Sequence, residues 1–87
     1  MGQVQGYVDK NNFNLDNISG RLKTLGYEIK GQNFIKNGQI ESVLNELVPL
    51  VEEQGVNVFE DLYLEEYIPS GEIVAKYQKG KVERKEN

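Results

Sequence analysis

Apolar residues recur along this chain in short clusters whose spacing switches between the two-residue period of a strand and the three-to-four-residue period of a helix. In residues 3–8, Val4 and Val8 alternate with polar neighbours, which predicts a short strand. Gly6 inside it marks either a weak point or a close approach of another backbone. Asp9, Lys10, Asn11 and Asn12 supply turn chemistry. Leu15, Ile18, Leu22 and Leu25 then form one apolar stripe, with Asn14 as N-cap, Asp16 in the first turn and Gly26 as the left-handed stop. Gly20 costs that helix about 1 kcal/mol relative to alanine, so either the helix is locally weak or something packs close there.

Residues 27–36 predict a hairpin turning at Gly31-Gln32, which sets Ile29 opposite Phe34 and puts Tyr27 and Lys36 on one face. Ile40, Val43, Leu44, Leu47 and Val51 make a wide apolar face for a second helix, opened by Asn37-Gly38 and closed by Gly55. Pro49 lacks an N–H and crowds the preceding turn, which predicts a kink between Asn45 and Pro49 or a second short helix beginning at Pro49. Val56 and Val58 suggest a further short strand.

Residues 58–67 read in two ways. As a strand, they join residues 73–77 in a hairpin around Pro69-Ser70-Gly71-Glu72, with Ile68 opposite Ile73 and Glu65 opposite Lys76. As a helix, they start from Asn57 with Glu60 as its box partner and Phe59, Leu62, Tyr63 and Tyr67 as the stripe. The strand partitions the faces more cleanly. The resulting order places the chain in the α+β class: two layers, with two helices packed on a mostly antiparallel sheet. A ferredoxin-like order with an extra strand is one topology that fits. Residues 1–78 form a single domain on this reading. Residues 79–87, charged and apolar only at Val82, form a mobile C-terminal tail.

Composition narrows the chemistry. The chain has no cysteine, which excludes disulfides, thiolate catalysis and Cys-ligated zinc, and no histidine, the commonest general base and metal ligand. Glu60, Asp61, Glu65 and Glu66 have the oxygen chemistry for a hard cation, but no segment matches an EF-hand loop and no glycine-rich phosphate loop precedes a helix. The expectation is therefore a non-enzymatic protein with no cofactor and no metal site. Apolar runs are too short to span a bilayer, and the first residues lack the basic and apolar regions of a secretion signal, so a cytoplasmic location is expected.

Charge changes the picture most. Residues 1–36 carry five basic groups against three acidic ones, and residues 76–87 carry five against two. Residues 37–75 carry nine carboxylates and no lysine or arginine. One reading is internal neutralisation, with Glu65 facing Lys76 and Lys79 near Asp61. A sharper reading is a protein-binding regulator or inhibitor, of the kind a phage or mobile element encodes. It would dock Glu52, Glu53, Glu60, Asp61, Glu65 and Glu66, with Tyr63 and Tyr67, onto a basic protein partner. The alternative is a nucleic-acid-binding accessory protein using Lys76, Lys79, Lys81, Arg84 and Lys85, with Tyr77 as a stacking group. A third reading is a homodimer through the sheet face that carries Tyr63 and Tyr67.

Overall fold

A computed structural model describes residues 2–85. They form β1 (Gln3–Val8), α1 (Asp16–Thr24), β2 (Glu28–Lys30), β3 (Asn33–Asn37), α2 (Ile40–Glu53), β4 (Leu62–Tyr67), β5 (Ile73–Gln78) and β6 (Lys81–Arg84). The sheet runs β2-β3-β1-β4-β5-β6, and every neighbouring pair is antiparallel. The protein is therefore α+β, as the periodicity predicts. None of the described helices is long and apolar enough to cross a membrane.

Alternation along the strands decides what is buried. Val4, Phe34, Leu62, Leu64, Ala75 and Tyr77 share one core with Ile18 and Leu22 of α1 and with Ile40, Val43, Leu47 and Val51 of α2. Gly6 belongs to the inward set, and its missing side chain is what lets the strands meet. A Cβ there would collide with Leu64 Cδ2 and stand 2.6 Å from the Tyr63 carbonyl oxygen and 2.9 Å from Phe34 Cε1. Close approach, not weakness, accounts for this glycine.

Both helices end as their glycines direct. Gly26 and Gly55 take φ of 98° and 80°, a region that costs residues with a Cβ. Tyr27 N–H then donates to Leu22 O at 2.9 Å and Val56 N–H to Val51 O at 3.2 Å, closing two Schellman motifs over buried apolar pairs. α1 begins one residue late relative to an Asn14 cap, but Asn14 Oδ1 still accepts the Asp16 N–H at 3.0 Å. α2 runs unbroken through Pro49, so no second short helix forms there. Asn45 and Pro49 both lie on the exposed side, away from the stripe that burial holds in place.

The second half corrects several expectations. Val56 and Val58 are buried without forming a strand. The capping chemistry of Asn57 is real but makes only one turn: its Oδ1 accepts the Phe59 N–H, and Asp61 Oδ2 accepts the Asn57 N–H. The chain then extends into β4, because Leu62 and Leu64 can enter the core only at strand spacing. Glu65 opposes Lys76 as expected, but a bulge between Glu66 and Tyr67 sets Tyr67, not Ile68, opposite Ile73. Residues 79–85 are no detached tail. Lys79 and Gly80 turn the chain, and Lys81–Arg84 pairs with β5. Glu86 and Asn87 lie outside the described residues.

The largest correction is Glu66. It occupies an inward position of β4 beside Leu62 and Leu64 and is 4% exposed. Arg84 donates to both its oxygens, from Nη1 at 3.0 Å and Nη2 at 2.9 Å, and the Ile40 N–H donates to Oε1 at 3.1 Å. Arg84 Nη2 also reaches Glu41 Oε1 at 2.6 Å. One carboxylate thus joins β4, β6 and the first turn of α2, where an anion complements the helix dipole. Burial by itself pushes the Glu66 carboxyl upward, but the Arg84 and Ile40 hydrogen bonds and the Arg84 charge together hold it below its ordinary value. A second polar tie joins β3 to α2: Lys36 Nζ donates to both oxygens of Glu46 at 2.7 and 2.9 Å, and Tyr27 Oη donates to Oε1 at 3.0 Å. The Lys36 hydrogen bond chiefly holds Glu46 below its ordinary value.

Arg84→Met leaves the Glu66 carboxylate buried with one backbone donor and should cost about 3 kcal/mol in urea unfolding. The Glu66→Met/Arg84→Met double variant should recover much of that loss, since it leaves no unpaired buried charge. Because Glu66 and Glu46 are lowered from 4.5 in the folded state, their contribution is complete above that value. It is lost as pH falls through the lower folded values, and Glu66→Gln should flatten the acid limb of the stability curve. Gly6→Ala should destabilise by about 1–3 kcal/mol through overpacking. Gly20→Ala should instead stabilise by about 0.5–1 kcal/mol, since nothing lies within 4 Å of a Cβ there.

Candidate binding surface

The strand residues of opposite parity turn away from the core. Their register draws one row across all six strands: Glu28, Ile35, Gln5, Glu65, Lys76 and Glu83. Tyr7 opposes Tyr63 on one side of that row, and Gln3 stands between Asn37 and Tyr67 on the other. Apart from the buried Ile35, the face is built of tyrosines, amides and charges of both signs.

Glu65 organises its centre. Tyr63 Oη donates to Glu65 Oε2 at 3.0 Å and Tyr67 Oη to Oε1 at 2.8 Å, so one carboxylate orients two rings two residues away on either side. Tyr7 adds a third ring, tilted 34° to Tyr63 with centroids 5.3 Å apart. Burial first, then the Glu65 hydrogen bond and charge, push the Tyr63 phenol up to about 12. The Glu65 bond is the leading cause for Tyr67, which is also raised. All three rings are at least partly accessible, Tyr7 at 39%. The Tyr63 and Tyr67 phenols remain neutral donors at physiological pH, and their bonds to Glu65 preorient the two rings, which lowers the entropy cost of using them in a contact.

Two depressions flank the rings. One, of about 420 Å³, lies among Gln3, Gln5, Asn37 and Tyr67 and is closed by Pro69 and Gly71 of the β4–β5 loop. The other, of about 140 Å³, lies between Tyr7 and Tyr63 and the acidic groups Asp9, Glu60 and Asp61, with Lys79 at its margin. No group of three acidic residues among those described is arranged to hold a metal ion.

Of the expected docking residues, the fold brings together Tyr63, Glu65 and Tyr67, with Glu60 and Asp61 on the adjoining rim. It does not bring the others there. Glu66 faces the core, and Glu52 and Glu53 end α2, with Glu53 bonded to Arg21 at 2.7 Å. Five of the nine carboxylates of residues 37–75 are in ion pairs, each with a cation from the segments that flank them. They are Glu41 and Glu66 with Arg84, Glu46 with Lys36, Glu53 with Arg21, and Glu72 with Lys85. The carboxylates therefore do not make one contiguous negative field.

The basic set is divided as well. Arg84 is held by Glu66 and Glu41, and Lys85 by Glu72 at 2.6 Å. Lys76 and Lys81 lie on the outward face, and Lys79 sits in the β5–β6 turn with φ of 51°. Tyr77 is buried, its hydroxyl donating to Val58 O at 2.7 Å, so it offers no stacking surface. Tyr7 is the functional candidate that sequence reasoning missed. The inward parity of Val4 and Val8 already turned it outward, but only the β1–β4 pairing sets it beside Tyr63.

Comparison with protein-family models, curated proteins and solved structures finds no match to this chain. The surface must therefore be judged on its own chemistry. Glu65→Ala should lower the Tyr63 and Tyr67 titrations towards the ordinary 10.0 in a spectrophotometric alkaline titration. Tyr27, bonded to Glu46, should not respond.

Proposed function

We propose that this chain is a non-enzymatic protein-binding domain, a regulator or inhibitor that acts by occupying a partner. The outward sheet face docks through Tyr7, Tyr63 and Tyr67, with Glu65 at the centre and Asp9, Glu60 and Asp61 on the rim. One observation carries the reading: two tyrosines preoriented by one carboxylate, with a third ring packed beside Tyr63, share a sheet face with glutamines and an asparagine. Tyrosine with adaptable polar side chains is the composition of polar protein-recognition surfaces. The acidic rim beside Tyr7 and Tyr63 favours a partner that presents arginine or lysine, through charge and through cation–π contact with the rings.

The fold assignment that goes with this reading is a two-layer, ferredoxin-like arrangement. Its support is the order β4-β1-β3-β2, with α1 joining β1 to β2 and α2 joining β3 to β4. The β5–β6 hairpin extends the sheet beyond β4. Such a scaffold hosts many unrelated activities, so function has to be read from the face.

A second reading has a specific observation behind it. Lys76 and Lys81 share the face with the tyrosines, which is a basis for single-stranded nucleic acid. Glu65 and the acidic rim stand against phosphate contacts beside the rings. Amide NMR titrations with an arginine- and lysine-rich peptide and with oligothymidylate separate the two. The peptide should shift Tyr7, Tyr63, Glu65 and Tyr67, and Tyr63→Ala should weaken it about tenfold or more. Glu52→Gln, far from this face, should leave it unchanged. Shifts with oligothymidylate alone establish the nucleic-acid reading, and shifts with neither remove both.

A further inference from the structure

We infer that the free edge of β6 is a self-pairing strand and that this chain forms a weak two-fold dimer through it. Lys85 N–H donates to Val74 O at 2.8 Å, so Lys85, Glu83 and Lys81 exchange their backbone bonds with β5. Val82 and Arg84 therefore direct their N–H and C=O groups outward. No strand among the described residues pairs with that edge. All four residues of β6 are exposed. The opposite edge is different, since β2 has only three residues and turns only Ile29 outward.

An unpaired edge accepts a strand of many kinds, and the charges of β6 select among them. A two-fold axis normal to the sheet pairs residues of the same parity, which leaves few registers. Centred on Val82, it forms two Lys81–Glu83 pairs across the axis, places the two Val82 side chains together, and leaves Arg84 opposite a glycine, Gly80; Lys85, itself paired with Glu72, then faces Lys79, which lies in the turn outside the strand. Centred on Glu83, it sets Glu83 against Glu83 and Lys81 against Lys85. Centred on Arg84, it sets arginine against arginine. Like charges directly opposite are destabilising, so the Val82 register is the one that the sequence favours.

That register also continues a pattern inside the chain. The outward row already alternates Glu65, Lys76 and Glu83. The partner copy's Lys81 would come next, extending the alternation of sign across the axis. Val82, 37% exposed, would lose most of its exposure. Phe59, 63% exposed and lying against Gly80, borders the same edge. Four residues of pairing are too few for a tight complex, so a dissociation constant of about 100 μM is expected.

Sedimentation equilibrium from dilute solution up to about 1 mM should show a monomer–dimer equilibrium. Val82→Pro should abolish it while leaving the fold intact by circular dichroism, because the lost N–H points away from β5. K81E alone and E83K alone should each weaken the dimer about tenfold or more, and mixing the two variants should restore association. A chain that stays monomeric throughout, a dimer that survives Val82→Pro, or K81E and E83K samples that fail to rescue one another would overturn the inference. So would a dimer lost on Tyr63→Ala, which would place self-association on the sheet face instead.

Discussion

The carboxylate of Glu66 is the point on which this small fold turns. It is a charged group buried beside Leu62 and Leu64 on the inward side of β4, and it is tolerable there only because three donors meet it. Two come from Arg84 on the last strand and one from the first turn of α2. The same contact therefore fixes where the second helix begins and why a polar Lys-Val-Glu-Arg segment is part of the sheet. A fold of this size has a small core, and a buried ion pair does not add greatly to its stability. What this one supplies is registration of three elements, β4, β6 and the first turn of α2, at a single point.

The same logic explains the uneven distribution of charge. Nine carboxylates without a cation between residues 37 and 75 would repel one another in an isolated segment. Folding threads that segment between the two basic ends, and five of the nine find a cation from outside it. The exposed pairs, such as Arg21 with Glu53, contribute at most about 1 kcal/mol each. Their effect is to remove repulsion and to disperse the negative field. Segregation of sign along the chain here reflects pairing between distant segments of the same chain more than a surface reserved for a partner.

What remains for binding is the side of the sheet that the core does not use. Glu65 and Glu66 are neighbours in sequence and opposites in role: Glu66 is consumed by the fold, and Glu65 holds two phenols in place on the open face. The β-strand period alone separates them. The bulge that follows then brings Tyr67, not Ile68, opposite Ile73. The proposed docking face and the proposed dimer edge draw on different groups, side chains for the first and unpaired backbone for the second. They meet only in the row that runs from Glu65 through Lys76 to Glu83.

Local features were legible from the sequence by itself. The stripes of α1 and α2 (except Leu25, which lies past the end of α1 and is exposed), the glycines that end them, the Ile29–Phe34 hairpin and the Glu65–Lys76 pairing all follow from backbone sterics and from the periods of helix and strand, which act over a few residues. The parity that turns Tyr63, Glu65 and Tyr67 to one face was also present there, as was the outward turn of Tyr7. Only the tertiary structure decided which charges were spent. Arg84 lies 18 residues from Glu66, and Ile40 lies 26 residues from it, so their meeting depends on strand order and not on spacing. The same holds for Tyr7 beside Tyr63, whereas β6 follows β5 through the two-residue turn at Lys79-Gly80 and only its ion pairs with Glu66 and Glu41 are long-range. Periodicity is a property of neighbours along the chain, whereas electrostatic pairing is a property of neighbours in space.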